Sequence, residues 1–235
     1  MIKSILDFLK SCHAPRHHEW ERFQQSDYDD IILILQESSS ASSVPRSRRE
    51  LYDYLCHNPL LLGEGSLSLT LDEESGRKCY MIGGRGFKIE WQEVPENWSW
   101  PSLTISRFST VPQLLDVYWF DIEGNIETVI LYPETTYGVY LVFKFAQFRE
   151  GFDGRIMKSV IYLEGTPQNI EITSSELNIP RQSRIREGEW LEIELGQFLN
   201  QQQNQGTLVC HLFDHNTQVK KSGIIIEGIE FRPRI

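Results

Sequence analysis

The stretch Val139-Tyr-Leu-Val-Phe-Lys-Phe145 decides the fold class. Val139, Leu141, Phe143 and Phe145 recur every second residue, which is the period of a strand, because successive side chains leave a strand on opposite faces. The same alternation appears at Leu67/Leu69/Leu71, Phe87/Ile89/Trp91 and Leu191/Ile193/Leu195. Each set gives a strand with one buried face. Leu115–Glu123, Ile126–Leu131, Ile156–Leu163, Thr207–Phe213 and Gly223–Phe231 are further strand candidates, with Gly124-Asn125 able to turn between the first two. Many short strands joined by loops, with almost no helix between them, predict an all-β antiparallel sandwich or jelly roll and not a parallel α/β sheet. No internal repeat points to a propeller or solenoid.

Upstream of residue 66 the pattern changes. Ile2, Ile5, Leu6, Phe8 and Leu9 share one helical face, and Asp29 to Leu35 is a short apolar stretch that suits helix or strand. Ser38-Ser-Ser-Ala-Ser-Ser-Val-Pro-Arg-Ser47 has linker composition. Ser47-Arg-Arg-Glu50 is a capping box that opens a helix through Leu51, Tyr54 and Leu55, and Pro59 ends it. The expected organisation is a small helical N-terminal segment at 1–45, a helix and strand at 46–75, and the β domain at 76–235.

Composition narrows the partners. The 235 residues are 40% hydrophobic and 11% aromatic, enough to bury a full core. Thirty-three acids against 23 bases give a net charge of −10, and no Lys/Arg stripe is present. That excludes nucleic acid and an anionic membrane as principal partners and favours neutral ligands. Met1 to Lys10 carries Asp7 and lacks a long apolar run and a cleavage site, so it does not read as a signal peptide. Cys12, Cys56, Cys79 and Cys210 are widely spaced, as reduced thiols in cytosol or nucleus are. The expected location is cytoplasmic, with the nucleus as the alternative.

Catalytic patterns are thin. The chain has no Gly-x-Ser-x-Gly elbow and no P-loop, and Gly83-Gly-Arg-Gly86 lacks the third glycine and the following helix of a dinucleotide site. No spacing among the acids singles out a glycosidase pair. His211-Leu-Phe-Asp-His215 has the i, i+4 spacing of a helical metal pair. It lies in strand-like sequence, where the two rings would stand about 13 Å apart, so no metal ligand set and no cofactor is assigned. His13, His17 and His18 read as solvated surface. The chain is not expected to be an enzyme.

Trp91-Gln-Glu-Val-Pro-Glu-Asn-Trp98-Ser-Trp100 places three indoles in ten residues at the end of a strand. An indole face covers the C–H face of a pyranose, and neighbouring amides and carboxylates take its hydroxyls. Trp91, Trp98 and Trp100 beside Glu93, Glu96 and Asn97 therefore suit a sugar site or a packed core equally. Trp119 and Trp190 lie in alternating stretches and read as core. Asn97-Trp98-Ser99 matches the N-glycosylation pattern, and an intracellular chain leaves the Asn97 amide free for ligand hydroxyls.

A series of ordered blocks resembles one family. Lys78-Cys-Tyr-Met81, Ile89-Glu-Trp91, Asn97-Trp-Ser-Trp100, Ser106-Arg-Phe-Ser109 and Val117-Tyr-Trp-Phe-Asp-Ile122 are followed by Tyr137–Lys144, Trp190–Phe198 and Ser222–Pro233. Together they are similar to the plant phloem protein 2 family, the Nictaba-like lectins, over residues 76–235. The resemblance implies a jelly-roll β-sandwich that binds N-acetylglucosamine oligomers and N-glycan cores in cytoplasm and nucleus, without catalysis. It places the sugar contacts on Trp91 and Trp98, with Trp100 beside them and Asp214 as a polar partner. It also admits a homodimer. The family's basic nuclear-import cluster is not matched by Lys220-Lys221.

Glu19-Trp-Glu-Arg-Phe23, Ser26-Asp-Tyr28, Glu50-Leu-Tyr52 and Asn58-Pro-Leu-Leu61 further resemble the family's F-box subgroup. An F-box opens with a Leu-Pro pair and two more helices, for which the residues before Trp20 are too few, so this part reads as an F-box tail. Two functions follow. One is a lectin for N-acetylglucosamine-containing glycans and glycoproteins; the other is an adaptor that docks a Skp-type protein and presents glycoproteins to a ubiquitin ligase. A sandwich reused for protein binding is the remaining option.

Overall fold

The computed structural model describes residues 19–37, 45, 47–164, 170–201 and 206–234. The expected helix at 2–10, most of the serine-rich stretch and His13, His17 and His18 lie outside them. The chain divides into two compact units, one holding Leu71–Arg77 with the residues up to His57, the other holding Asn58–Thr70 with those from Lys78 onward.

The first unit is helical. A 3-10 turn at Glu19–Arg22 precedes α1 (Gln25–Glu37) and α2 (Arg48–His57). The Asp29–Leu35 stretch is thus helix, and Ile31 is fully buried. The capping box forms as expected at its first half, with Glu50 N donating to Ser47 Oγ at 3.2 Å. Phe23 packs against Tyr52 at 6.4 Å, and the Tyr52 hydroxyl donates to Glu73 O at 2.6 Å. Gly76 has φ +67°, and a Cβ there would meet Phe23 N at 2.6 Å, so the close approach of these two backbones needs glycine. No described helix is long and apolar enough to cross a membrane.

The second unit is the expected antiparallel β-sandwich. Its strands are β1 (Leu60–Leu62), β2 (Leu67–Leu71), β3 (Lys78–Gly83), β4 (Phe87–Ile89), β5 (Trp98–Ser99), β6 (Gln113–Leu114) and β7 (Phe120–Glu127). They continue as β8 (Thr135–Glu150), β9 (Met157–Glu164), β10 (Ile170–Leu177), β11 (Arg184–Ile185), β12 (Leu191–Asn200), β13 (Thr207–Asp214) and β14 (Ser222–Pro233). A nine-stranded sheet runs β1-β2-β3-β14-β8-β12-β11, with β6 pairing β14 and β5 pairing β6. A five-stranded sheet runs β10-β9-β13-β7-β4. Gly124-Asn125 does not turn. It sits inside β7, where Gly124 faces Cys210 and Phe87 across the ladder, and the chain leaves that strand in a 3-10 turn at Thr128–Ile130. Glycine here serves close packing, since a Cβ would come within 3.0 Å of Ile229.

The long strand β8 is buried on both faces over much of its length, so its sheet is covered on two sides. Leu141, Phe143, Ile229 and Phe231 are fully buried, as are Phe120, Ile122 and Leu212 of the other sheet. Val142, Met81 and Ile225 join Phe108, Val111 and Trp190 in a separate cluster under the loop that follows β5. Trp190 is core as expected, and its indole N–H donates to Ile105 O at 3.2 Å.

The same sheet carries an ionic network. Glu230, 2% exposed, accepts Arg186 Nη2 at 3.0 Å and Arg232 Nε at 2.6 Å, and Arg232 also pairs with Glu192. Burial would raise the Glu230 carboxyl, but the hydrogen bonds and charge of Arg186, with Arg232 and Arg107, outweigh it and hold the group below its usual range. A folded-state value below the unfolded one contributes stability above about pH 4.3 that is lost as the pH falls through the depressed value. Glu230→Ala removes the buried carboxylate from among Arg186, Arg232 and Arg107, which keep Glu192 and Glu227 as partners, and should cost about 1.5–3 kcal/mol at neutral pH. The gap between native protein and Glu230→Gln in urea midpoint should narrow progressively as the pH falls below about 5.

Candidate functional site

Three segments of the sandwich are tied together by main-chain bonds: 90–100, 115–121 and 214–222. Glu90 N donates to Asp121 O at 3.1 Å, which extends the β4–β7 register by one pair. Leu115 N and Asp116 N both donate to Asn97 O, at 2.8 and 3.4 Å. Val117 and Lys221 exchange two backbone bonds of 3.1 and 2.7 Å, and Lys220 Nζ lies 2.8 Å from Asp116.

Lys221 locks the third segment from inside. Its side chain is fully buried, and Nζ donates to the carbonyls of Tyr118 (2.6 Å), Asn216 (3.1 Å) and Val219 (3.2 Å). Asp214 Oδ2 stands 3.2 Å from the same nitrogen and 3.5 Å from Arg155 Nε. Burial pushes the Lys221 ammonium below its ordinary value, with Asp214 opposing and Arg155 adding to the shift.

On this frame the five expected site residues divide. Trp91 is 51% exposed and takes φ +64°, a left-handed conformation that a bulky residue adopts at a cost. Trp98 differs from the expectation. At 3% exposure it packs on Phe120 at 6.3 Å and donates its indole N–H to Glu90 O at 3.1 Å, so neither face is open to a ligand. The reason is its place in β5, where pairing with Leu114 turns it inward. Trp100 is half-buried under the Arg85 guanidinium, 3.9 Å from the ring centre. Asn97 is half-buried and its carbonyl is spent on residues 115 and 116. Asp214 is buried against Lys221 and Arg155 and accepts Asn216 N at 3.0 Å, so it offers no free carboxylate.

Trp119 corrects another expectation, being 41% exposed and not core. Its strand begins only at Phe120; the bridge at Val117 and the bend after it turn both Tyr118, 51% exposed, and Trp119 outward. Its alternation with Val117 and Asp121 gave no hint of that bend. Trp119 stacks on His215 with ring centres 3.9 Å apart, and Phe213 lies 4.6 Å from His215 and 4.5 Å from His211. The two histidines are therefore not 13 Å apart: their centres are 6.5 Å apart, because β13 ends at Asp214 and the chain folds back. Both donate to one carboxylate, His211 Nε2 to Asp121 Oδ1 at 2.8 Å and His215 Nε2 to Oδ2 at 2.7 Å. Beyond them on the same sheet face, Glu123 takes Lys88 at 2.6 Å and the Tyr162 hydroxyl at 3.3 Å. Burial first, then Glu123, pushes that phenol up to about 12, so it stays a donor.

A family model described as phloem protein 2 matches residues 77–233. Among relatives from Arabidopsis thaliana, putative F-box protein PP2-B12 is 33% identical over 243 residues, covering 99% of this chain and 89% of its own. F-box protein PP2-B10 is 33% identical over 222 residues, covering 91% and 79%. A solved carbohydrate-binding module, CBM27-1 of Caldicellulosiruptor saccharolyticus in complex with mannohexaose, superposes with a TM-score of 0.38 at 12% identity, over 66% of this chain and 97% of its own. A likeness so distant adds nothing to the sandwich already described.

The two central tryptophans should separate in stability measurements. Trp98→Ala empties a core position and should cost about 3–5 kcal/mol in chemical denaturation. Trp91→Ala removes a half-exposed ring and should change stability by less than about 0.5 kcal/mol.

Proposed function

The chain belongs to the phloem protein 2 family, and from that membership we propose that its sandwich is a lectin for N-acetylglucosamine-containing glycans, either oligomers or the N-glycan core, acting without catalysis. The observation that carries the reading is the exposure of Trp91, Tyr118 and Trp119 on segments held by buried bonds. Aromatic rings left in water on rigid backbone lose solvation free energy that a stacked pyranose recovers. Trp91 is the primary stacking face, and the strained backbone that presents it fits a residue kept for contact and not for packing. Asn97 and Trp100 border that ring in sequence and would supply an amide and a second apolar edge. Trp98 and Asp214 act as positioning residues: the first fixes Glu90, next to Trp91, and the second anchors Lys221 beneath Tyr118.

A second reading is favoured by the names of the relatives, which are F-box proteins aligned over at least 91% of this chain. In it the helical unit docks a Skp-type adaptor while the sandwich holds a glycoprotein. Leu33, 59% exposed on α1, is an apolar contact such docking could use. Co-purification with the adaptor that is lost in Leu33→Asp would support this reading, and no co-purification would remove it.

A glycan array with the full chain tests the lectin reading, followed by calorimetry with N-acetylglucosamine trimer. We expect a dissociation constant of about 1 μM or weaker, as shallow sites give, and at least tenfold loss in Trp91→Ala at unchanged melting temperature. Absence of N-acetylglucosamine glycans among the hits, or full binding by Trp91→Ala, would overturn it.

A further inference from the structure

Asp121, His211 and His215 present three ligand atoms within 4.8 Å of one another. We infer that they form a site for one divalent transition-metal ion, Zn2+ by chemical class. Asp121 comes from β7, His211 from the neighbouring β13, and His215 from the turn just after it. The register that places Phe213 opposite Asp121 sets one histidine on either side of the carboxylate.

The rings are held before any ion arrives. His215 is clamped between Trp119 at 3.9 Å and Phe213 at 4.6 Å, and His211 stacks on Phe213 at 4.5 Å. Both rings aim Nε2 at Asp121, at 2.8 and 2.7 Å. In the metal-free arrangement each Nε2–H donates to one carboxylate oxygen. On binding, each neutral imidazole carries its proton on Nδ1 instead, and the Nε2 lone pairs and one oxygen turn to the ion. A tetrahedral zinc with bonds near 2.0–2.2 Å needs donors about 3.3 Å apart, so side-chain shifts of about 1 Å convert the hydrogen-bonded triad into a ligand set.

The donor set selects the ion. Two imidazoles and one carboxylate suit zinc and its neighbours, whereas calcium and magnesium take oxygen ligands and copper(I) takes sulfur. Side-chain exposures of 24%, 35% and 24% for His211, His215 and Asp121 leave an entry path and a fourth position for water. The site shares Trp119 with the lectin reading, but ion binding is measured without glycan, so failure of one leaves the other standing.

Trp119 makes the test specific, because an ion on His215 lies one stacking distance from its indole. Full-length protein is titrated with Zn2+ by calorimetry and with Ni2+ by tryptophan fluorescence. We expect one equivalent of zinc, at least tenfold weaker binding in the His211→Ala/His215→Ala pair, and nickel quenching that Trp119→Phe removes while zinc stoichiometry persists. The variants' circular dichroism should match the native protein. His13, His17, His18 and the cysteines remain in every variant, so zinc binding that survives in the double variant would place the ion elsewhere and overturn the proposal. Absence of saturable zinc binding would overturn it as well.

Discussion

The ammonium of Lys221 is the interaction on which the functional end of the sandwich depends. A buried cation is tolerated only when fully paired, and here three carbonyls and Asp214 surround it. Those carbonyls belong to residues 118, 216 and 219, so one charge sets the bend that exposes Tyr118 and Trp119 and the turn that returns His215 over the sheet. Apart from that centre, the two loops are joined by the Val117–Lys221 backbone pair and the exposed Lys220–Asp116 ion pair, so Lys221 is their buried anchor. The Val117–Lys221 backbone pair then couples this anchor to the start of β14, and through it to the nine-stranded sheet.

The two sheets divide the work. The nine-stranded sheet is buried on both sides, by the opposing sheet and by the Phe108, Val111 and Trp190 cluster, and its buried carboxylates are matched by arginines. It supplies stability. The five-stranded sheet alternates cleanly along β7, with Phe120, Ile122 and Ile126 inward and Asp121, Glu123 and Asn125 outward. Its outer face is thus free to carry Trp119, His211, Phe213 and Tyr162, the groups available for ligands.

Much of the fold was legible because period-two alternation reports directly on a half-buried strand. Leu67–Leu71, Phe87–Ile89 and Leu191–Leu195 form strands where that period appears, as does the β8 stretch, although β8 is buried on both faces and not on the single one its alternation implied. Strands that lacked it were missed: Lys78–Gly83 is buried at five of six positions, and a strand covered on both faces has no polar partner to alternate with. Gly124-Asn125 misled for a related reason. The dipeptide is a good hairpin turn in isolation, but Gly124 packs beneath Ile229 and Phe87, and that tertiary contact decides its conformation.

The site was legible in residue type and not in orientation. Trp91 and Trp98 stand seven apart and look equivalent in the chain, yet the left-handed backbone of Trp91 sends its ring to solvent while the two-residue strand that begins at Trp98 turns the other to the core. Trp119 erred in the opposite direction, because the bend at 118 depends on a lysine more than 100 residues away. The histidine pair shows the same logic most sharply. Spacing along a strand predicts rings far apart, and only the termination of β13 at Asp214, itself held by Lys221, brings both onto Asp121. Side-chain chemistry in this protein is therefore set less by local period than by where long-range ion pairs end the strands.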